Sequence, residues 1–117
     1  MNLKDETLEI MAEHGKTKED IVWIGCRDFA IGPATFWRLA DRMYDSGYGW
    51  QEVATDLLVV GDNWWMERHE YDGSEWWEYK EPPKMPFVCK DVQRIIRGPN
   101  QTGWSKLAEM NEEGKQE

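Results

Sequence analysis

The side chains best suited to chemistry in this chain cluster between residues 64 and 80, in the run WWMERHEYDGSEWWEYK. Two carboxylates about 5 to 9 Å apart can act as general acid and base in glycoside hydrolysis, with tryptophans as sugar platforms. Across a hairpin, Glu67 with Glu78 or Glu70 with Glu75 could meet that distance. A hairpin surface excludes little water, however, so it has little means of shifting a carboxyl pKa for catalysis. We therefore expect recognition rather than catalysis.

Other catalytic and metal-binding patterns are weak or absent in the sequence. His69 has acids beside it but no second histidine at metal-ligand spacing, which favours a solvated or ion-paired histidine over a ligand. No phosphate-binding loop, dinucleotide fingerprint, nucleophile elbow or HExxH motif occurs. Cys26 and Cys89 belong to no CxxC motif and are predicted to be reduced, structural thiols. We expect no enzyme, no cofactor and no metal.

The Asp72-Gly73 pair between two aromatic-rich runs predicts a β-hairpin. A two-residue turn would place Glu70 opposite Glu75 and Glu67 opposite Glu78, at about 0.2 to 1 kcal/mol for each like-charge pair. A three-residue turn with Gly73 as a bulge residue avoids both pairs. It would instead pair His69 with Glu75, Arg68 with Trp76 and Trp65 with Tyr79. Charge therefore favours the bulged turn.

Consecutive residues of a strand point to opposite faces, so each tryptophan pair must contribute one ring to the core and one to the outer face. An outward indole rimmed by acids has the character of an interface anchor. The candidate binding residues are Trp64, Trp65, Glu67, Arg68, Glu70, Asp72, Glu75, Trp76, Trp77 and Glu78. The alternative is that the segment after Pro86 covers the outward rings.

The charge of −9 is unevenly distributed. Residues 1–83 hold 18 acidic and 8 basic side chains, a net of −10, whereas residues 84–117 hold 5 acidic and 6 basic, a net of +1. An acidic surface of this kind repels phosphate backbones, so we do not expect direct nucleic-acid binding. It could instead imitate such a backbone and attract a basic groove, although solubility alone also accounts for it.

Periodicity predicts the other elements. A first helix is expected over 3–14, a strand over 21–25, and an amphipathic helix from Pro33 with apolar positions to Tyr44 and Gly47 as its cap. Residues 57–60 are all apolar, without the alternation of polar and apolar side chains typical of a half-exposed strand. This run predicts a central strand that forms a three-stranded antiparallel meander with the hairpin. A short helix over 90–97 and a helical turn over 105–110 are expected further on.

These elements predict an α+β fold with an antiparallel sheet of about four strands and two helices on one face. Residues 1–83 would form the domain and residues 84–117 a partly ordered C-terminal extension. No apolar run is long enough to span a membrane, and the N-terminal residues are charged where a signal peptide has its apolar core. A cytoplasmic protein without membrane contact is expected.

Residues 7–83 resemble a group of small uncharacterised proteins encoded by phages and prophages of Gram-positive bacteria. The resemblance is carried by the IVWIG strand, the run FWRLADRMYDSGYGWQEVATDLLVVG and the hairpin WWMERHEYDGSEWWE, with His69 where a small residue such as glycine is expected. The C-terminal 34 residues have no counterpart in it. The resemblance brings no activity and no site residues, but it implies a mobile-element setting in which short acidic proteins inhibit host defence, anti-CRISPR proteins among them.

Two functions follow as expectations. The first is a non-enzymatic accessory protein whose acidic, tryptophan-rich hairpin binds a host protein, such as a CRISPR nuclease with a basic nucleic-acid-binding groove. The alternative is a module that binds carbohydrate or cell-wall glycan, because tryptophan platforms flanked by carboxylates suit sugars.

Overall fold

The computed structural model describes residues 1–47, 49–99, 103 and 106–112. The chain divides into two compact units, Met1–Pro83 and Lys84–Glu117. The first unit is an α+β domain built on a five-stranded antiparallel sheet.

The sheet has the strand order β2-β1-β3-β4-β5. Its members are β1 (Ile21–Gly25), β2 (Ala30–Ile31), β3 (Leu58–Gly61), β4 (Trp64–Tyr71) and β5 (Ser74–Lys80). Strands β3, β4 and β5 form the predicted meander, and β3 occupies the centre of the sheet. The short β3–β4 turn places Asn63 at φ 64°, a left-handed conformation that asparagine tolerates better than most residues.

Helices α1 (Leu3–Glu13) and α2 (Pro33–Ala40) contact the sheet and each other. Asn2 caps the N-terminus of helix α1, and its side chain accepts a hydrogen bond from the Asp5 amide. A single 3₁₀ turn, Lys18–Asp20, leads into β1. There the Thr17 backbone and side chain hydrogen-bond to the Asp20 carboxylate and lower its pKa.

The core of the domain lies between the helices and one face of the sheet. Its buried members are Met11, Ile24, Phe36, Ala40, Val59, Trp64, Met66 and Trp77. The side chain of Tyr79 closes one side, stacked between His14 at 3.8 Å and Trp64 at 5.6 Å between ring centroids. One tryptophan from each hairpin pair thus belongs to the core, as predicted.

The predictions for the first helix, the first strand and the central strand are confirmed within one residue at either end. The sheet has five strands, whereas about four were predicted. Strand β2 has only two residues, which is too short for a recognisable strand pattern in the sequence. Gly25 allows the chain to turn back from β1 into β2, because a Cβ atom at this position would overlap the backbone of Phe29 and Ala30. Cys26, next in the chain, is a buried free thiol, whereas Cys89 is exposed, so the structural role predicted for Cys89 is wrong.

The predicted extension of α2 towards Tyr44 and the Gly47 cap are wrong. The helix ends at Ala40, after which the chain pairs with the N-terminus. Met43 forms an antiparallel bridge with Asn2, and the Leu3 and Tyr44 amides donate to the carbonyls of Arg42 and Met1. These long-range hydrogen bonds outweigh the helical periodicity, and they leave Leu39 and Met43 exposed.

In the second unit, Leu107–Met110 forms a short helix, α3, so the chain has three α-helices within its described part. This helix lies inside the predicted turn over 105–110, of which Ser105 is outside the described residues. The predicted helix over 90–97 does not form. The Asn111 side chain instead accepts hydrogen bonds from the amides of Gln93 and Arg94 and donates to the Arg94 carbonyl, which holds that backbone in an irregular conformation.

Candidate functional site

The hairpin closes in a two-residue turn, and the predicted bulge is wrong. Asp72 and Gly73 have φ values of 50° and 86°, the left-handed pair of a type I′ turn, and Tyr71 pairs with Ser74. The register therefore places Glu70 opposite Glu75 and Glu67 opposite Glu78. This register is tolerated because each facing pair of acids has cationic or hydrogen-bonding partners close by.

Glu75 is the clearest case, since its carboxylate is buried but fully partnered. Arg68 Nη2 donates to Glu75 Oε1 at 2.8 Å, and both side chains are almost inaccessible to water. The backbone amides of Glu52 and Val53 donate to the same carboxylate at 2.7 and 3.3 Å. Glu70 lies exposed at the end of the hairpin, so little repulsion remains between the two acids.

Arg68 is the centre of a polar cluster on the inner face. Its Nη1 lies 3.4 Å from Glu6 Oε1, and its Nη2 donates to the Tyr44 hydroxyl at 3.1 Å. The Tyr44 hydroxyl in turn donates to Glu6 Oε1 at 2.5 Å. The guanidinium also lies 4.9 Å from the centre of the Trp77 ring.

Burial and charge shift two pKa values in this cluster. Burial, together with the hydrogen bond to Glu6, raises the pKa of Tyr44 to about 12. Burial alone would lower the pKa of Arg68, but hydrogen bonds to Tyr44 and Glu75 and the charge of Glu6 raise it above its ordinary value. A charged arginine and a neutral tyrosine therefore persist here at physiological pH. The cluster ties α1 and the loop around Glu52 to the hairpin, which is a structural role.

The outer face of the hairpin carries the two other tryptophans in a repeated arrangement. Trp65 Nε1 donates to Glu67 Oε1 at 3.1 Å, and Trp76 Nε1 is 3.4 Å from Glu78 Oε1. Because Glu67 and Glu78 are directly opposite, the two carboxylates lie side by side between the two indoles. All four side chains are half-buried. Trp65, Glu67, Trp76 and Glu78 are hereafter the outer patch.

His69 and Lys80 adjoin the outer patch, and the ammonium group of Lys80 offsets part of its negative charge. His69 Nε2 lies 3.7 Å from Glu67 Oε2, and its Nδ1 lies 3.9 Å from Glu78 Oε1. Lys80 Nζ lies 3.8 Å from Glu78 Oε2. These contacts are too long for strong hydrogen bonds, so the two carboxylates retain acceptor capacity for a partner. No group of three or more histidine, cysteine or acidic side chains able to hold a metal ion occurs within the described residues.

The structure separates the ten predicted binding residues into two sets. Trp64, Arg68, Glu75 and Trp77 are buried on the inner face, with exposures of 2, 6, 4 and 3%, and cannot contact a partner of the folded domain. The outer patch stays accessible, and Glu70 and Asp72 are exposed near the turn. Sequence reasoning missed His69, Lys80 and Tyr71 as neighbours of the patch, although the period of two from Trp65 and Trp76 points to them.

A second feature, a cavity of about 370 Å³, was not foreseen from the sequence. It opens beside the end of α2, where the helix stops earlier than its periodicity predicts. Phe36, Ala40 and Val53 form its buried floor, and Leu39 and Met43 lie exposed at its rim. Both Arg42 and Glu52 line it, so its charge favours neither sign of ligand.

No helix in the described part of the chain is long and apolar enough to cross a membrane. Comparisons with protein-family models, with curated proteins and with solved structures yield no match for this chain. The geometry of the hairpin and the chemistry of its exposed face are therefore the features from which function is inferred.

Proposed function

We propose that the protein binds a host protein through the outer patch, without catalysis, and so blocks a basic nucleic-acid-binding surface such as that of a CRISPR nuclease. The observation that carries this proposal is the outer patch itself, in which two half-exposed indoles flank two adjacent carboxylates. Tryptophan is among the residues that dominate binding hot spots, and the carboxylates suit arginine and lysine side chains.

The charge of the domain supports a basic partner. Residues 1–83 carry a net charge of −10, and a field of that sign attracts a positively charged groove while it repels nucleic acid. The resemblance to phage and prophage proteins supports a host target in the cytoplasm. An inhibitor needs only to occupy the groove, which is consistent with a flat hairpin face that offers no enclosed reaction centre.

The test is capture of a partner from host lysate, its purification, and measurement of its affinity for variants of this protein. Trp65→Ala and Trp76→Ala are each expected to weaken binding by about 2 kcal/mol, roughly thirtyfold, as hot-spot residues do. Trp50→Ala is the matched control, because Trp50 is 92% exposed and lies outside the hairpin. Equal affinity of the three variants and the native protein would refute the outer patch as the interface.

Charge reversal gives an independent measurement. Glu67→Lys and Glu78→Lys are expected to slow association, and this effect should shrink as salt screens the charges. Glu9→Lys changes the net charge equally from an exposed position on α1, so it controls for the overall field. The purified partner should also lose its nucleic acid when the native protein is added.

A glycan-binding function is the second candidate, favoured by the hydrogen-bonded pairs Trp65–Glu67 and Trp76–Glu78. Each pair sets an aromatic ring next to an acceptor for sugar hydroxyls. Binding to cell-wall glycans should be insensitive to salt because the ligand is largely neutral, whereas binding to a basic protein should weaken at high salt. A glycan array measured at low and high salt therefore separates the two functions.

A further inference from the structure

The outer patch continues across the sheet onto β3 and β1, and we propose that this wider face binds an amphipathic helix of the partner. The helix has an apolar stripe and carries lysines or arginines along one flank. This inference rests on the proposed function and names the element of the partner that the site holds. Amphipathic helices dock by laying their apolar stripe on an apolar surface of the protein that binds them.

The pairing register identifies the residues that extend the outer patch. In an antiparallel sheet, residues directly opposite each other lie on the same face. Val60 is opposite Trp65 on one side and Trp23 on the other. Leu58 is opposite Glu67, which belongs to the outer patch. Trp23, Leu58 and Val60 therefore lie on the outer face and are hereafter the apolar strip.

The apolar strip does not belong to the core of the domain. Its three residues are neither in the buried cluster nor among the partly buried side chains that pack against that cluster. The buried residues of α1 and α2 pack on the opposite face of the sheet. All three residues of the strip are half-buried, like the indoles of the outer patch. Because an apolar sheet face is normally covered by a second layer, the strip is suited to a layer that another molecule supplies.

The arrangement of apolar and acidic side chains favours a helix over a second sheet. The apolar strip lies on β1 and β3, whereas Glu67 and Glu78 lie on β4 and β5. Neighbouring strands are about 4.8 Å apart, so β1 and β4 are about 10 Å apart, close to the diameter of a helix. A second sheet would cover the two carboxylates with apolar side chains, which is costly. A helix over the strip instead brings only its flank to the carboxylates, where ammonium or guanidinium groups pair with them.

The net charge of the domain argues against a second copy of the chain as the occupant. Another copy of residues 1–83 would bring a further net charge of −10 to a face that already carries Glu67 and Glu78. The two domains would repel each other. A basic helix is attracted by the same field and matches the two carboxylates locally.

The experiment is an NMR titration of the full chain with a synthetic helical peptide of about 18 residues, which is about five turns. The peptide carries leucines along one stripe and lysines along one flank of that stripe. The amide resonances of Trp23, Leu58 and Val60 should shift together with those of the outer patch. The matched control is a peptide with the same residues in scrambled order, which keeps the charge but loses the stripe.

A substitution in the apolar strip gives a second measurement. Val60→Ser should weaken binding of the striped peptide about tenfold, because it removes apolar area from the contact. Val22→Ser is the matched control, since Val22 is 67% exposed and lies at the bulge of β1, outside the strip. The titration of the native protein does not depend on how well either variant folds.

Shifts in the apolar strip with the striped peptide and not with the scrambled one would support helix docking. Shifts confined to the outer patch, no shifts at all, or equal affinity of Val60→Ser and Val22→Ser would overturn it, yet would leave the proposed function standing. Strip resonances that shift with protein concentration alone would also overturn it, because a second copy would then occupy the face.

A soluble paramagnetic agent tests whether the face is open in the free protein. It should broaden the indole N–H resonance of Trp23, and an unbroadened resonance would overturn helix docking because the strip would already be covered. The proposed function is tested separately with the purified partner. Unchanged affinity of that partner for Trp65→Ala and Trp76→Ala would refute the outer patch as the interface, whatever the peptide does.

Discussion

The two faces of the β4–β5 hairpin are built from almost the same residue types and yet have opposite roles. Each carries two tryptophans, acidic side chains and cationic or titratable nitrogen groups, which are Arg68 on the inner face and His69 and Lys80 on the outer face. On the inner face, Arg68 and Glu75 are almost fully buried and hydrogen-bonded to each other, and Glu75 also accepts hydrogen bonds from backbone amides. On the outer face, His69 lies almost 4 Å from Glu67 and Glu78, and about a third of each side chain remains exposed.

The difference shows that burial, rather than residue composition, determines whether a surface of tryptophans and carboxylates stabilises the fold or remains available for binding. The inner charges are removed from water and paired with one another, so the inner set holds the fold together and is closed to another molecule, although Arg68 Nε has no hydrogen-bond partner. In the outer patch, the contacts of the carboxylates with His69 and Lys80 are long and the indole rings are accessible, so the patch can still bind another molecule. Five substitutions or conditions test this contrast.

Trp77→Ala should have the largest effect, a loss of about 3 to 5 kcal/mol in the free energy of unfolding, because it removes a core ring and its hydrogen bond to Thr7. Trp76→Ala on the opposite face should cost only about 1 kcal/mol, since its ring is half-exposed. Urea unfolding of the two variants measures the contrast. Equal losses would mean that the two faces are not distinct.

Arg68→Met should cost about 3 to 5 kcal/mol as well, because it leaves the Glu6 and Glu75 carboxylates buried without their cation. Arg38→Met, at an exposed position of α2, should change stability by less than about 0.5 kcal/mol. Thermal unfolding at neutral pH is the measurement. A mild effect at Arg68 would show that its cluster is not essential for the fold.

Gly61→Ala should cost about 1 to 3 kcal/mol through overpacking. A Cβ atom at this position would overlap the indole ring of Trp64, which lies against the glycine on the inner face. At Gly47 the same substitution meets only ordinary contact with the Asp45 side chain, so Gly47→Ala serves as the control. A stable Gly61→Ala protein would indicate that Trp64 can move without loss.

Alkaline pH should weaken the inner face by a smaller amount, since water partly screens the half-buried Tyr44. Its pKa is raised from 10 to about 12 in the folded state, so the unfolded chain loses the proton first. Stability is therefore kept below pH 10 and falls as the pH rises towards 12. Tyr44→Phe should show a shallower fall over that range in unfolding experiments, although Tyr79, with its pKa also raised to about 12, still contributes.

Glu67→Gln should have the smallest effect, a gain of about 0.2 to 1 kcal/mol, because it removes the like charge opposite Glu78 while keeping an acceptor for the Trp65 indole. Glu9→Gln on α1 is the control for loss of one exposed acid. A loss of stability instead would show that His69 binds Glu67 more strongly than their separation implies.

Much of the fold follows from local patterns in the sequence. The Asp72-Gly73 turn, the run Leu57 to Val60 and the capped first helix each carry a signal in consecutive residues, and the structure confirms all three elements. The errors arise where distant residues compete with local preference. The helix after Ala40 stops because the N-terminus pairs with the chain there, and the hairpin register tolerates facing acids because Arg68 reaches across the strands.

The candidate site shows the same division. Alternation in the sequence correctly predicts that one tryptophan of each pair is core and one is outward, since a strand has a period of two. It could not predict that Arg68 and Glu75 belong inside, because charged residues are buried only where distant partners meet them. Glu6, Tyr44 and the Glu52 amide are such partners, and they are 62, 24 and 23 residues away from the groups that they contact.

The sequence by itself determined the hairpin, the helical and strand segments with strong periodicity, and the acidic character of residues 1–83. Only the tertiary structure decided which acids are neutralised and which remain available. The physical reason is that charge is a property of each side chain, whereas its desolvation and its partners depend on contacts between parts of the chain that are far apart in sequence.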